Sequence, residues 1–270
     1  MKKKLEKIFS KEQLISDMKS ISSSWHEGIL PGEDGNAGRT LEELLDVKEN
    51  NLKIPDYGEF EIKSQRKTTD SLITLLHKEP NPAASIPKLI NSMGWYNQKE
   101  KSWRFSSTTY SKYTIRGFIV EVTKNKIEFK FEPSQVKVAA RDRTKLFNTY
   151  GEWLKDVEKR TPHYKKILPL HYDKDEFENH CVNKLNNILL ALCDVAEVKG
   201  NNKKEIFQYK EAYIMQGLSK KKIKKLFDEK QLCIDINVSI KNDKLHNHGC
   251  GLRISQKNFF NLYESYDKIL

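Results

Sequence analysis

The sequence predicts a mixed α/β (α+β) fold built on a mixed β-sheet flanked by helices. Three observations point there. Short runs at 59–63, 113–122 and 126–132 alternate polar and apolar residues, as half-buried strands do. Segments at 3–20, 175–186 and 219–227 instead repeat apolar residues at helical spacing. The order of the two kinds shows no regular βαβα rhythm, which disfavours a purely parallel sheet. The chain has 270 residues, enough for one large domain or two small ones. With 37% hydrophobic residues and only 12 Gly and 8 Pro it can bury a core, which excludes disordered and collagen-like classes.

Taken in order, Leu5, Ile8, Phe9, Leu14, Ile15 and Met18 predict a helix over 3–20. Residues 22–38 read as a polar, Gly-rich loop holding Trp25-His26-Glu27. Leu41, Leu44 and Leu45 mark a short helix ending before Asn50. Pro55-Asp56-Tyr57-Gly58 is turn chemistry that opens a strand at Glu59–Lys63. Residues 71–77 suit either strand or helix, closed by Pro80 and Pro82. Lys124-Asn125 joins two alternating runs into a hairpin. Ile188–Val198 reads as a strand that returns through residues 199–202. Two further strands, 231–240 and 250–255, flank a polar loop at 241–249.

The net charge is +11, and it is uneven: residues 199–257 hold 14 Lys or Arg against 6 Asp or Glu. Such a surplus attracts polyanions, nucleic acid above all. Within it, Ser219 caps a helix whose Ile223, Leu226 and Phe227 share one face, while Lys221, Lys224 and their neighbours cover the other. That face either grips phosphates or simply keeps the protein solvated. No apolar run approaches the roughly 20 residues of a membrane span, so the expectation is a soluble protein that is not secreted and has no membrane partner. Cys181, Cys193, Cys233 and Cys250 form no Cys-x-x-Cys pair, which argues against a zinc ribbon or a disulfide scaffold and for reduced thiols.

The chemistry concentrates in Pro55-Asp56-x4-Glu61-x-Lys63. In a strand Glu61 and Lys63 point to one side while Phe60 and Ile62 face the core, and Asp56 converges from the turn. Two carboxylates and an ammonium suit metal-assisted phosphodiester hydrolysis. Hard oxygen ligands hold Mg²⁺, and the lysine orients the nucleophile or stabilises the pentavalent transition state. By chance, Asp-x4-Glu-x-Lys is expected about 0.2 times in this composition, and about 0.005 times with the preceding Pro. The alternative is an edge strand whose Glu59, Glu61 and Lys63 merely face water.

Glu42 follows the Gly35–Gly38 approach and is placed to add one more acid from a helix beside the strand. Leu41, Leu44 and Leu45 are expected to bury the adjoining face, which favours Glu42 over Glu43. Both glutamates are equally explained as first-turn carboxylates favoured by the helix dipole. The 241–249 loop offers Lys241, Asn242, Lys244, His246, Asn247 and His248, followed by Arg253, all side chains able to read base edges. His246 and His248 suit a metal less well, because no third ligand stands nearby. A mobile polar tip is the bland alternative.

These strings, Trp25-His26-Glu27, Gly35–Leu45, Asn50-Asn51-Leu52, Pro55-Asp56, Glu61-Ile62-Lys63, Ser71–Leu75 with Lys78 and Pro80, Asp235–Ile240, and His246–Gly249 with Arg253-Ile254, resemble the MvaI/BcnI restriction endonucleases. That family is related to the mismatch-repair nickase MutH within the PD-(D/E)xK nuclease superfamily. The resemblance is poorest between residues 95 and 175. It implies a type II restriction enzyme with two lobes around a DNA cleft: a catalytic lobe at 1–170 and a basic recognition lobe at 171–270. Asp56 and Glu61 would be metal ligands for Mg²⁺, with Mn²⁺ as substitute, Lys63 the catalytic lysine and Glu42 an auxiliary acid. His77 and the His246–Arg253 segment would contact DNA. It further implies a monomer on a short, nearly palindromic double-stranded site, a cytoplasmic location in a bacterium or archaeon, and a cognate DNA methyltransferase with no stable complex. A strand-nicking repair enzyme and a non-catalytic DNA-binding module are the alternatives.

Overall fold

A computed structural model describes residues 10–33, 35–47, 54–143, 146–161, 170–198 and 204–270. In chain order the elements are α1 (Lys11–Ser22), β1 (His26–Glu27), α2 (Asn36–Leu44), β2 (Glu61–Arg66), β3 (Leu72–His77), α3 (Ser85–Met93), β4 (Trp95–Asn97), β5 (Ser102–Thr109), β6 (Arg116–Val122), β7 (Lys126–Val136), α4 (Tyr150–Arg160), β8 (Leu170–Asp173), α5 (Lys174–Leu185), β9 (Asn187–Val198), β10 (Lys204–Gln216), α6 (Lys220–Asp228), β11 (Leu232–Lys241), β12 (Lys244–Asn247), β13 (Gly251–Ser255), the short α7 (Gln256–Phe259) and β14 (Ser265–Lys268). They form two compact units. The first draws on the chain up to Ile73, on His180–Lys222 and on Phe259–Leu270, and the second on Thr74–Asn179 and Ile223–Asn258. Neither is a continuous half of the sequence, so a cut at residue 170 follows chain order rather than compactness.

The first unit is a mixed sheet, as expected. Its order is β1-β10-β9-β2, with β14 also on β10. Strand β2 runs parallel to β9, while β10 is antiparallel to β9. Two helices cover it. Ser10 caps α1 by accepting from Gln13 N at 3.2 Å, and Leu14 and Met18 are fully buried. From α2 the core takes Ala37 and Leu41, then Leu45 just beyond its end, all packed with Phe60, Ile62, Leu189, Ala191, Phe207 and Ile214. Leu44 was expected in that face and is exposed instead, because the buried stripe runs through 37, 41 and 45, one residue away from it. The loop expected over 22–38 contains β1 and the first turn of α2. The expected helical residues 3–9, and the Asn50–Leu52 and 199–202 segments, lie outside the described residues.

The second unit holds a sheet ordered β3-β13-β11-β5-β4, with β12 on β11, and a small sheet β6-β7-β8. The segment at 71–77 is strand β3, and the β6–β7 hairpin forms as expected with Val122 opposite Ile127. Aromatic rings dominate the core: Phe118 lies 5.3 Å from Phe105 and 5.1 Å from Phe129, and Trp153 donates its indole N–H to Met93 O at 3.2 Å. The polar loop expected over 241–249 is in part a strand. Asn242 and Asp243 both adopt positive φ, 49° and 58°, the conformation of a tight hairpin turn, and β12 folds back on β11 with His246 opposite Ser239. On α6, Ile223, Leu226 and Phe227 are buried, and Ser219 Oγ accepts from Lys222 N at 3.3 Å. Lys221 and Lys224 are exposed, and Lys224 pairs with Asp228 at 2.6 Å.

Candidate active site

The turn before β2 is built by its sequence. Tyr57 and Phe60 bridge each other and are fully buried, and Gly58 supplies the left-handed φ of 59°. Asp56 is thereby turned back on the strand, where its Oδ2 accepts from Ile62 N at 3.3 Å. Parallel pairing sets Glu61 opposite Ile188 and Lys63 opposite Leu190. Alternation then aims Glu61 and Lys63 to one side, and Lys63 Nζ donates to Glu61 Oε1 at 2.6 Å. Contrary to a simple in–out strand, Glu61 is buried as deeply as Ile62, at 2% against 3% exposure.

A carboxylate in that position is under electrostatic tension. Burial pushes Glu61 up to about 7; Lys63 opposes the shift, the charge of Asp56 reinforces it, and Lys184, 3.4 Å from Oε2, opposes it again. Glu42 is also raised, by burial and then by Asp56, while Arg39 at 3.3 Å and Lys63 pull it down. Glu42, Asp56, Glu61 and Lys63 therefore feel one another as one cluster. Among the described residues no three acidic, His or Cys side chains form a ready-made cage for a metal ion. Lys184 carried no signal in the sequence: it lies on a helix 123 residues after Glu61, and only the β2–β9 pairing brings that helix end to the strand.

In the second unit, alternation places Cys233, Asp235, Asn237 and Ser239 of β11 on one face, with Ser106 and Thr108 of β5 opposite Asn237 and Asp235. Arg253 joins them, 3.2 Å from Asp235 Oδ2 and donating to Gly249 O at 3.1 Å, while Thr108 donates to Asp235 Oδ1 at 2.7 Å. His77 packs against Gly249, where a Cβ would stand 2.9 Å from its ring. His246 and His248 stack at 6.5 Å, and Ser239 Oγ meets His248 Nε2 at 2.7 Å. Burial, then Arg104 and His246, lower the pKa of His248 and favour its neutral form. Two expected readers have local duties. Asn247 accepts from Gly249 N and Cys250 N and donates to Glu79, and Asn242 shapes the hairpin turn. Lys241 and Lys244 face each other at the exposed hairpin end. Thr108 and Asp235, which hold Arg253 on this face, carried no such expectation, although the alternation of 231–240 already put Asp235 beside Asn237 and Ser239.

The fold is restriction-endonuclease-like, and this defines the class: a nuclease with its carboxylates at the head of a strand of a mixed sheet. The chain belongs to the MvaI/BcnI restriction endonuclease family, whose model matches residues 15–263. It is a type II restriction endonuclease, a site-specific deoxyribonuclease. Among solved structures it is similar to one titled "Restriction endonuclease MvaI-cognate DNA substrate complex", at 19% identity over 96% of this chain and 98% of that one, with a TM-score of 0.72. It is also similar to "Restriction endonuclease MvaI in the absence of DNA", at 20% identity over 98% and 100%, with a TM-score of 0.51. Among curated proteins no sequence match is found.

Proposed function

We propose that the chain cleaves double-stranded DNA with a divalent cation, Mg²⁺ or in its place Mn²⁺, held by Asp56 and Glu61, with Lys63 as catalytic lysine and Glu42 as auxiliary acid. The observation that carries this is the head of β2, where Ile62 N holds Asp56 at 3.3 Å and Lys63 donates to Glu61 at 2.6 Å, with Glu42 in electrostatic reach of Asp56 and Lys63, in a chain of an endonuclease family. The cation fits the residues present. Asp56 and Glu61 are neighbouring anions, the charge of Asp56 disfavouring ionised Glu61, and a cation between them removes that cost. Mg²⁺ is commonly bound by one or two carboxylates, with water and phosphate oxygens completing its shell, so a three-residue cage is not required. When bound, it supplies an activated water and neutralises charge on the phosphate.

The protein's own groups do the rest. The Ile62 N–H fixes the Asp56 carboxylate, and strand geometry fixes Glu61. Lys63, 19% exposed, carries the charge that meets the developing negative charge on the scissile phosphate. The second unit, with Arg253 beside Asp235, His77 against Gly249, and His246 and His248 beside Ser239, reads base edges, while the lysines of α6 and the hairpin, Lys221, Lys224, Lys241 and Lys244, grip phosphates. The similar structure titled as a complex with cognate DNA substrate supports DNA as the partner. The enzyme acts as a monomer on a short site, cutting one strand and then the other. Plasmid incubated with Mg²⁺ should give discrete bands and none with EDTA. Lys63→Ala should bind DNA as the parent does and cleave at least ~100-fold more slowly; undiminished cleavage would remove Lys63 from the site.

A further inference from the structure

We propose that Lys184 is a positioning residue of the catalytic centre: it keeps Glu61 in place while Lys63 serves the scissile phosphate. The inference rests on the roles of Glu61 and Lys63 given above. The two oxygens of Glu61 meet different cations. Oε1 accepts from Lys63 Nζ at 2.6 Å, and Oε2 faces Lys184 Nζ at 3.4 Å, with both lysine side chains less than one-fifth exposed. Oε2 is shut off from solvent and accepts no hydrogen bond. The Tyr263 ring, buried and with no hydrogen bond on its hydroxyl, lies close enough to feel the Glu61 charge. The two cations therefore divide the carboxylate, Lys63 on Oε1 and Lys184 on Oε2.

The two lysines come from different elements. Lys63 is one pleat period from Glu61 on the same strand. Lys184 sits in the last turn of α5, which leads into β9 just before Ile188, the residue paired with Glu61. One ammonium cannot remain the permanent partner of a buried carboxylate and also move to a phosphate. If Lys63 alone balanced Glu61, its departure before a cation is bound would leave a buried charge beside Asp56 with no counter-ion, an expensive arrangement. With Lys184 on Oε2, Glu61 keeps a partner and its orientation, and Lys63 is released. The Lys184 side chain is 14% exposed and faces Glu61, so its contribution is to the placement of Glu61 and not to DNA affinity.

The test compares Lys184→Met, which keeps length and loses charge, with Lys184→Arg, and uses Asp56→Ala as control. Three quantities are measured: single-turnover cleavage at saturating Mg²⁺, DNA affinity without divalent cation, and Mn²⁺ affinity of the DNA-free protein by calorimetry. Lys184→Met should cleave at least tenfold more slowly and bind Mn²⁺ several-fold more weakly, with DNA affinity within twofold of the parent, and Lys184→Arg should recover most of both losses. Parental rate and Mn²⁺ affinity in Lys184→Met would overturn the proposal. So would a rate loss in both variants that merely tracks a lower melting temperature while Mn²⁺ affinity holds, since that is the mark of a structural ion pair. Full cleavage by Asp56→Ala would sink the site assignment itself, separately from Lys184.

Discussion

The proposed function gives Arg253 two tasks, holding Asp235 and reading a base, that pull in different directions. Its guanidinium is held by Asp235 and by Gly249 O, yet its Nε has no hydrogen-bond partner, so it is only partly satisfied within the protein. Asp235 is 5% exposed and depends on Arg253 and Thr108. Arg253→Ala is expected to do two kinds of damage: it strands a buried carboxylate, and it removes a base contact of about 1–3 kcal/mol. The double variant Arg253→Ala/Asp235→Ala separates them, because it removes the stranded charge as well. Its melting temperature should recover towards the parent while cleavage of near-cognate sites stays as relaxed as in the single variant. Parental site selectivity in either variant would exclude Arg253 as a reader. At this scale the sequence was most informative where the chemistry is local: Asp56, Glu61 and Lys63 are close in the chain and ordered by one turn and one strand. Asp235 needed Arg253 and Thr108, 18 and 127 residues away, and so did not announce its role.

Among the elements, those with a strong period were legible and those defined by pairing were not. The α6 cap and apolar face, the β6–β7 hairpin and the head of β2 follow from local pattern. Strand β12 does not, since all its residues are exposed and polar Lys244, His246 and Asn247 surround a lone Leu245; only the positive-φ turn at Asn242-Asp243 and its hydrogen bonds to β11 make it a strand. Leu44 failed for the opposite reason, as helical spacing alone leaves the buried arc uncertain by one residue. Close packing of β13 is equally invisible in sequence. A Cβ on Gly251 would stand 1.9 Å from Leu76 O, so only glycine allows this approach of β13 to the end of β3, where His77 follows. Gly251→Ala should cost about 3 kcal/mol or more. The loss would appear as a lower melting temperature together with weakened discrimination between sites. A melting curve matching the parent's would show that the two backbones do not meet there.

On the scale of the whole molecule, the basic stretch that dominates the charge is not one body. Its part up to Lys222 belongs to the unit carrying the carboxylates, and its part from Ile223 to the other unit. Chain order concealed this because the chain leaves the first unit after Ile73, returns at His180 and leaves again. The cysteines offer a way to follow both units, since Cys181 and Cys193 lie in the first and Cys233 and Cys250 in the second, all four buried and none in a disulfide. Burial pushes Cys193 and Cys233 up to about 12 and Cys250 up to about 11, from an ordinary value near 9. A raised acid pKa means that the folded state holds its proton where the unfolded chain has lost it. Stability from these thiols is therefore complete below pH 9 and drains away as pH rises from 9 towards 12. Two outcomes are expected. At pH 8 a thiol reagent should leave all four cysteines unmodified in the native protein and modify four in denaturant, and the melting temperature should fall steadily between pH 9 and 11. Rapid labelling of any one cysteine at pH 8, located by mass spectrometry, would show that its unit opens far more readily than its packed core allows.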